Sequence, residues 1–374
     1  MRIALFSGNY NYLREGANQA LNILVRYLET NGLASVRVYS PVTETPAFEP
    51  SGTLVPVPSI ALPVRGEFRL ALGLPRPIRD DIVRFDPDLV HVSTPDILGA
   101  RAVTFARSRS VPVVASMHTR FETYLDYYGL GFARGLVDAH LSRFYRRADF
   151  VLAPTAELVS GLRGLRGNAG AGVWSRGVDT ERFDPAMRDL EWRRSIGIAD
   201  EDFCILFLGR LVLEKGISVY TEVVRTLQEK GIRVRPLIVG EGPARAAFAH
   251  LHGPIFTGHL IGDALARAVA SADVLLIPST TETFGNVILE AMASGLPVVS
   301  ASAQNARALI SPDRDGYLCS PEDCSAYADA LIGLAASPTL RRELGRAARE
   351  KSLTYNWDAA SASVYGVYRS LADR

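Results

Sequence analysis

SADVLLIPSTTETFGNVILEAMASGLPVVSA, residues 271–301, holds two short apolar runs, DVLLIP (273–278) and LPVVSA (296–301), with a helix-length segment between them. Runs that are apolar without alternation belong to parallel strands covered on both faces. The segment between them predicts a helix starting near Phe284 or Gly285. Strand, helix, strand is the repeating unit of a parallel α/β sheet.

The same rhythm extends upstream through FCILFLG (203–209), VRPLIVG (234–240) and PIFTG (254–258). It also fills the first half, in RIALFS (2–7), VRVYS (36–40), DLVHVS (88–93), VPVVASMH (111–118) and FVLAP (150–154). A helix is expected from about Ala17 to Glu29, with Leu21, Leu24, Val25 and Leu28 on one face. The fold class is therefore α/β, with two Rossmann-like domains over about residues 1–170 and 175–355. The Gly-rich, charged stretch 161–185 reads as the linker between them. The strandless tail, 356–374, predicts a helix that packs back on the first domain. Ligands of such sheets lie outside the carboxyl ends of the strands, so a central cleft is expected.

Composition removes several classes. Lys plus Arg is 41 and Asp plus Glu is 40, a net charge of +1, without the basic excess of a nucleic-acid binder. Three cysteines, Cys204, Cys319 and Cys324, form no CxxC pair, which fits a reducing compartment and no metal centre. MRIALFSGNY is too short an apolar run for a signal peptide, and no stretch has the ~20 apolar residues of a membrane span. The expected location is cytoplasmic, either soluble or peripheral on the inner face of the cell membrane. GEGPAR (240–245) begins like a dinucleotide fingerprint but has Arg245 in place of the third glycine.

Four constellations can carry chemistry. GRLVLEKG (209–216) places Arg210 and Lys215 after a buried strand and before a helix. There a planar fork and a compact charge suit a diphosphate; alone, such a pair is more often solvated surface charge, with Glu214 as local partner. TETFGNVILE puts Glu282 in a turn, then amides of Phe284, Gly285, Asn286 and Val287 at a helix start, where phosphate is favoured. Glu290 lies eight residues after Glu282, and a carboxylate accepts two hydroxyls of a diol. A carboxylate that caps its own helix is the plainer account of Glu282. His118 ends an apolar strand, and Gly16 opens the first helix, both at a carboxyl edge.

Together these residues resemble glycosyltransferase family 4, the retaining enzymes of the GT-B fold. The likeness spans nearly the whole chain through SMHTRFETYLDYYGL (116–130), RRADFVLAPT (146–155), RGVDTERFDP (176–185), GRLVLEKG, VGEGP (239–243), FTGHL (256–260), the 271–299 segment and YNW (355–357). It is most similar to the branch of sulfoquinovosyl-, glucuronosyl- and mannosyl-transferases that act on lipids. The resemblance implies that Arg210 and Lys215 bind the donor diphosphate. It gives the sugar hydroxyls to Glu282, the ribose to Glu290, and further donor contacts to Leu260, the 284–287 amides and Gly16. His118 would sit beside the transferred sugar. Glu15-Gly16-Ala17-Asn18 departs from the paired glycines or Asn-Gly-Val of many relatives.

Implied with this are a nucleotide-diphosphate sugar as substrate, a UDP-sugar ahead of GDP-mannose, and no metal or other cofactor. The acceptor is expected to be a hydroxyl of a membrane lipid such as diacylglycerol or a sphingolipid. Tyr124, Asp126 and Tyr127 are candidate acceptor contacts. Arg65, Arg69, Arg76 and Arg79, among Phe68, Leu70, Leu72 and Leu74, are candidate contacts to an anionic membrane. A Pro-interrupted surface segment accounts for the same pattern, and Asp80-Asp81 reads as surface. Three rivals stand beside this reading: a transferase on a soluble or polysaccharide acceptor, a sugar-nucleotide 2-epimerase, and a non-catalytic nucleotide-sugar-binding protein.

Overall fold

A computed structural model describes residues 1–13, 15–62, 68–118, 131–166 and 170–373. The chain forms two compact units. One comprises Met1–Leu125, Leu130–Arg176 and Trp357–Arg374; the other contains Gly177–Asn356.

The first unit holds β1 (Arg2–Phe6), β2 (Ser35–Ser40), β3 (Thr53–Pro56), β4 (Ser59–Ala61), β5 (Arg69–Ala71), β6 (Leu89–Val92), β7 (Val113–Ser116), β8 (Phe150–Ala153) and β9 (Ala171–Val173). Its seven-stranded sheet runs β3-β2-β1-β6-β7-β8-β9, all parallel, and β4 and β5 form a separate antiparallel pair. The helix Gly16–Thr30 buries Leu21, Leu24, Val25 and Leu28, and the terminal helix Trp357–Ala372 inserts Val364, Tyr368 and Leu371 into the same cluster. The last 18 or so residues of the chain thereby complete the core that the first strand begins.

The second unit holds β10 (Phe203–Leu208), β11 (Val234–Val239), β12 (Ile255–Gly258), β13 (Val274–Ile277), β14 (Val298–Ala301) and β15 (Gly316–Cys319), in the parallel order β12-β11-β10-β13-β14-β15. That order reverses between β10 and β13, so the loops after these two strands flank a topological switch point. Both motif-bearing segments, 209–216 and 278–285, are those loops.

Three expectations need correction. The linker of 161–185 is partly regular structure: the helix Ala156–Arg166 runs into it, and β9 pairs with β8 inside it. Its glycines hid a strand that ends in the buried Trp174. The short strand β15 went unread because GYLC has too little apolar length to register. Asp81 is not a surface carboxylate: it accepts from Arg37 at 2.9 Å and from the Tyr39 hydroxyl at 3.0 Å, tying the helix Arg76–Phe85 to β2.

At the base of the second sheet, the fully buried Arg193 donates to Asp273 at 3.2 Å and to the Ser271 carbonyl at 2.6 Å. Asp273 also accepts from Arg188 at 2.7 Å and the Cys204 amide at 2.8 Å. Removing one partner of a buried pair leaves an uncompensated charge. Asp273→Ala should therefore destabilise the second unit by about 3–5 kcal/mol in urea unfolding. A loss below ~1 kcal/mol, the range of exposed ion pairs, would contradict that account.

Candidate active site

In the second unit, β10 leads into a single 3-10 turn, Leu213–Lys215, closed by Gly216. Gly216 has φ +73, and a Cβ there would stand 2.5 Å from the Pro278 carbonyl oxygen, so only glycine lets this turn approach the loop after β13. The approach is fastened by two hydroxyls. Ser279 Oγ and Thr281 Oγ1 both donate to the Glu214 carbonyl, at 3.3 and 3.2 Å. Lys215, the next residue, ion-pairs through Nζ with Glu282 Oε1. The two side chains are 17% and 20% exposed, open enough to meet a ligand. Arg210, earlier on the same loop, is exposed and has no ion-pair partner among the described residues.

The helix after Glu282 spans Asn286–Ala293. It begins a residue or two later than the pattern implied, because Gly285, at φ +96, takes the cap position that a side-chain-bearing residue rarely adopts. No side chain caps this end, and the first-turn amides of a helix have no intrahelical acceptor. Asn286 and Val287 therefore supply the helix-start amides, whereas Phe284 precedes the helix with its ring in the core. Glu290 stands one turn after Asn286, half-buried, and burial pushes its carboxyl up to about 7. Leu260, just after β12, packs half-buried on the same core.

In the first unit His118 lies two residues beyond β7. Its Nδ1 accepts from Arg176 Nη2 at 2.8 Å, and its Nε2 is 2.8 Å from Ser116 Oγ. Ser116 Oγ is also 2.8 Å from His91 Nε2, whose Nδ1 is 2.6 Å from the Tyr368 hydroxyl. Burial pushes His118 well below its ordinary range, assisted by the nearby Arg176 and His91; burial alone takes His91 down to about 3. The loop after β1 is pinned by Gly8 N to Thr94 Oγ1 at 3.0 Å and by Asn22 Nδ2 to the Tyr10 carbonyl at 2.9 Å, which places Gly16 at the first helical position.

The structure thus joins Lys215 to Glu282, with Arg210 on the same loop as Lys215 and the Asn286 and Val287 amides and Glu290 on the helix that follows Glu282. His118 and Gly16 belong to the other unit. Tyr124, Asp126, Tyr127 and Arg65 lie outside the described residues. Arg69 donates to Ser59 Oγ at 2.9 Å and to the Ser59 carbonyl at 3.1 Å, so it braces the β4–β5 pair instead of facing outward. Arg76 and Arg79 are exposed, and Arg79 lines a shallow hollow of about 580 Å³ with Leu72, Leu74, Arg101 and Phe105. Sequence reasoning missed Ser279, Thr281, Ser116, His91 and Tyr368. It also left Arg176 without a role, although that residue opens the quoted RGVDTERFDP segment.

A lysine, a glutamate and an uncapped helix start at a parallel switch point suit a phosphate-bearing ligand. The comparisons make this specific. The family described as Glycosyltransferase Family 4 matches residues 14–182, and that described as Glycosyl transferases group 1 matches 202–337. A sulfoquinovosyl transferase of Arabidopsis thaliana is 32% identical over 97% of this chain and 72% of its own length. A GDP-mannose-dependent alpha-mannosyltransferase of Mycolicibacterium smegmatis is 36% identical over 82% of this chain and 80% of its own. The sucrose-phosphate synthase of Thermosynechococcus elongatus shares the fold, with a TM-score of 0.79 over 99% of this chain and 98% of its own at 20% identity. The chain belongs to glycosyltransferase family 4 and has the GT-B fold. It is a glycosyltransferase that uses sugar-nucleotide donors, and its relatives include an alpha-monoglucosyldiacylglycerol synthase.

The depressed histidines give a stability prediction with a definite sign. In the unfolded chain both rings titrate near ~6.5, whereas in the native state they stay neutral. Above ~6.5 they contribute no pH dependence. As pH falls below it, the unfolded chain takes up protons that the native state refuses, and stability drops by up to about 1.4 kcal/mol per pH unit per ring. Urea unfolding between about pH 7 and pH 5 should show this loss, reduced in His91→Gln. Equal slopes in the two proteins would refute the assignment to His91.

Proposed function

We propose that the protein is a retaining, metal-independent hexosyltransferase that moves a sugar from a nucleotide-diphosphate donor to a hydroxyl of a membrane lipid. The observation that carries this reading is the Lys215–Glu282 pair, fixed at the switch point beside an uncapped helix start. Donor binding replaces that pair. The diphosphate takes Lys215 and Arg210, with the Asn286 and Val287 amides as further donors. The freed Glu282 carboxylate accepts sugar hydroxyls, and Glu290 accepts the ribose diol. His118 and Gly16 serve the first unit's part of the reaction.

In the transfer step the bond from the anomeric carbon to the diphosphate oxygen breaks, and a bond from that carbon to the acceptor oxygen forms on the same face. The acceptor proton passes to the departing phosphate oxygen. Negative charge grows on that phosphate as the bond opens, so fixed cations and amides aimed at it are the source of rate. They do here what a divalent ion does elsewhere, and turnover should continue in EDTA. If Mg²⁺ or Mn²⁺ were needed to restore it, the metal-free step would be wrong.

We take a UDP-sugar as the donor to test first, with GDP-mannose as its competitor because the 36%-identical mannosyltransferase is named for it. A thermal-shift screen with UDP and GDP separates them, since a ligand bound only by the folded state raises its stability. The lipid acceptor is favoured by relatives such as the alpha-monoglucosyldiacylglycerol synthase of Streptococcus pneumoniae, 26% identical over 91% of this chain and 80% of its own. No helix among the described residues is long and apolar enough to cross a membrane. We take the acceptor to be met at a bilayer surface. Exposed Arg76 and Arg79 each contribute about 1 kcal/mol at an anionic surface. Their double change to Gln should weaken sedimentation with anionic vesicles and leave nucleotide binding intact. Wild-type protein that ignores such vesicles at low salt would shift the acceptor to a soluble one. Incubation of donor alone separates transfer from 2-epimerisation, and absence of any turnover would indicate a binding protein.

Two changes test the donor site itself. Lys215→Ala should lower kcat by roughly 10²–10³-fold, as for loss of one oxyanion donor, with little change in melting temperature. Wild-type kcat at saturating donor would remove Lys215 from the mechanism. Because the free Glu290 carboxyl titrates at about 7 and the ionised form is the better diol acceptor, nucleotide should bind more tightly as pH rises through that value. Calorimetry at about pH 6 and pH 8 should show up to roughly tenfold tightening, absent in Glu290→Gln.

A further inference from the structure

Arg176 is 4% exposed, and among the described residues its guanidinium is paired with no carboxylate. Its partners are the main-chain carbonyls of Trp174 at 2.9 Å and Ser175 at 3.3 Å, and His118 Nδ1 at 2.8 Å. The guanidinium also lies 4.9 Å from the centre of the Trp174 ring, which packs edge-on against His118. A buried cation held this way needs a reason beyond packing, because burial without an anion is unfavourable.

A guanidinium can only donate. His118 Nδ1 is therefore an acceptor, and in the neutral ring the proton sits on Nε2. That proton goes to Ser116 Oγ, 2.8 Å away. The Ser116 hydroxyl proton then has His91 Nε2 as its acceptor, at 2.8 Å, and His91 Nδ1–H donates to the Tyr368 hydroxyl at 2.6 Å. One donor at one end sets every proton along the line, leaving the two histidines as opposite tautomers.

We infer that Arg176 is a positioning residue of the transferase: it locks His118 as the neutral Nε2–H tautomer, with both ring nitrogens engaged inside the first unit, so that His118 acts as a fixed, non-titrating group and never as a proton acceptor. The catalytic half of this inference rests on the assignment of His118 to the site. Among the described residues, the charged and titratable groups around the ring are Arg176 and, through Ser116, His91; after burial itself, both disfavour its protonation. The line ends on Tyr368 of the terminal helix, which ties that helix to the geometry of His118.

The test begins with wild-type protein carrying 15N-labelled histidine. Between about pH 5 and pH 8, where a free histidine titrates, His118 should stay neutral with its proton on Nε2, and His91 neutral with its proton on Nδ1. A His118 that titrates in that window, or carries its proton on Nδ1, overturns the proposal without any variant. Arg176→Met keeps the bulk and removes the donor. It should leave His118 Nδ1 without its donor, so that the Nδ1–H tautomer becomes populated while burial still keeps the ring neutral, and lower kcat by up to about 10²-fold, the scale of a misplaced group, with a smaller change in donor KM. Arg176→Lys, which retains a donor, should recover much of both. A Met variant that keeps the wild-type tautomer overturns the lock. If His118→Ala keeps full activity, the assignment of His118 to the site fails and the catalytic half of the inference fails with it, while the tautomer spectra still stand or fall alone.

Discussion

One carbonyl oxygen holds the candidate donor site together. Glu214 O accepts from both Ser279 and Thr281, and this pair of bonds clamps the turn after β10 to the loop after β13. Each such bond is worth only about 1 kcal/mol, yet its geometric effect exceeds its energy. Lys215 follows the clamped carbonyl by one residue, and Glu282 follows the second clamping hydroxyl by one residue. With their backbones fixed, a lysine and a carboxylate 67 positions apart meet without needing a long search of rotamers. Gly216 makes the clamp sterically possible, since any side chain there would collide with Pro278.

The pairing has a consequence for ligand choice. Two opposite charges held together and partly shielded satisfy each other, so neither has to be buried alone. A ligand that displaces the pair must bring both an anion for Lys215 and hydroxyl donors for Glu282. A sugar diphosphate has the two in one molecule, whereas a simple phosphate offers only the first. On the donor-site proposal, the arrangement selects for the whole donor over its fragments, because a fragment would leave one member of the pair unmatched.

How much of this was legible in the sequence depended on how local each signal was. The parallel strands were readable because their runs are apolar throughout, and the switch-point loops because Arg210, Lys215, Glu282 and Gly285 stand at fixed offsets from those runs. Four-residue β15 and the glycine-bearing β9 carried too little apolar length. Asp81 looked like a surface carboxylate because its partners, Arg37 and Tyr39, are some 40 positions away. The hydroxyl clamp was hidden for a different reason: serines and threonines in a loop look alike whether they face water or a carbonyl.

The His118 line shows the same limit in sharper form. His91, Ser116 and His118, Arg176 and Tyr368 come from β6, the end of β7, the turn after β9 and the last helix, and no spacing rule links these four places. Each taken alone has an ordinary explanation: a buried histidine, a strand-end serine, an arginine in a turn. Only their distances reveal that the proton on each is dictated by the next, starting from a guanidinium that can do nothing but donate. The terminal helix then has a second duty besides filling the core with Val364 and Leu371. Through Tyr368 it supplies the far anchor of the line, so the segment most distant in sequence from β7 is tied to the histidine at its end.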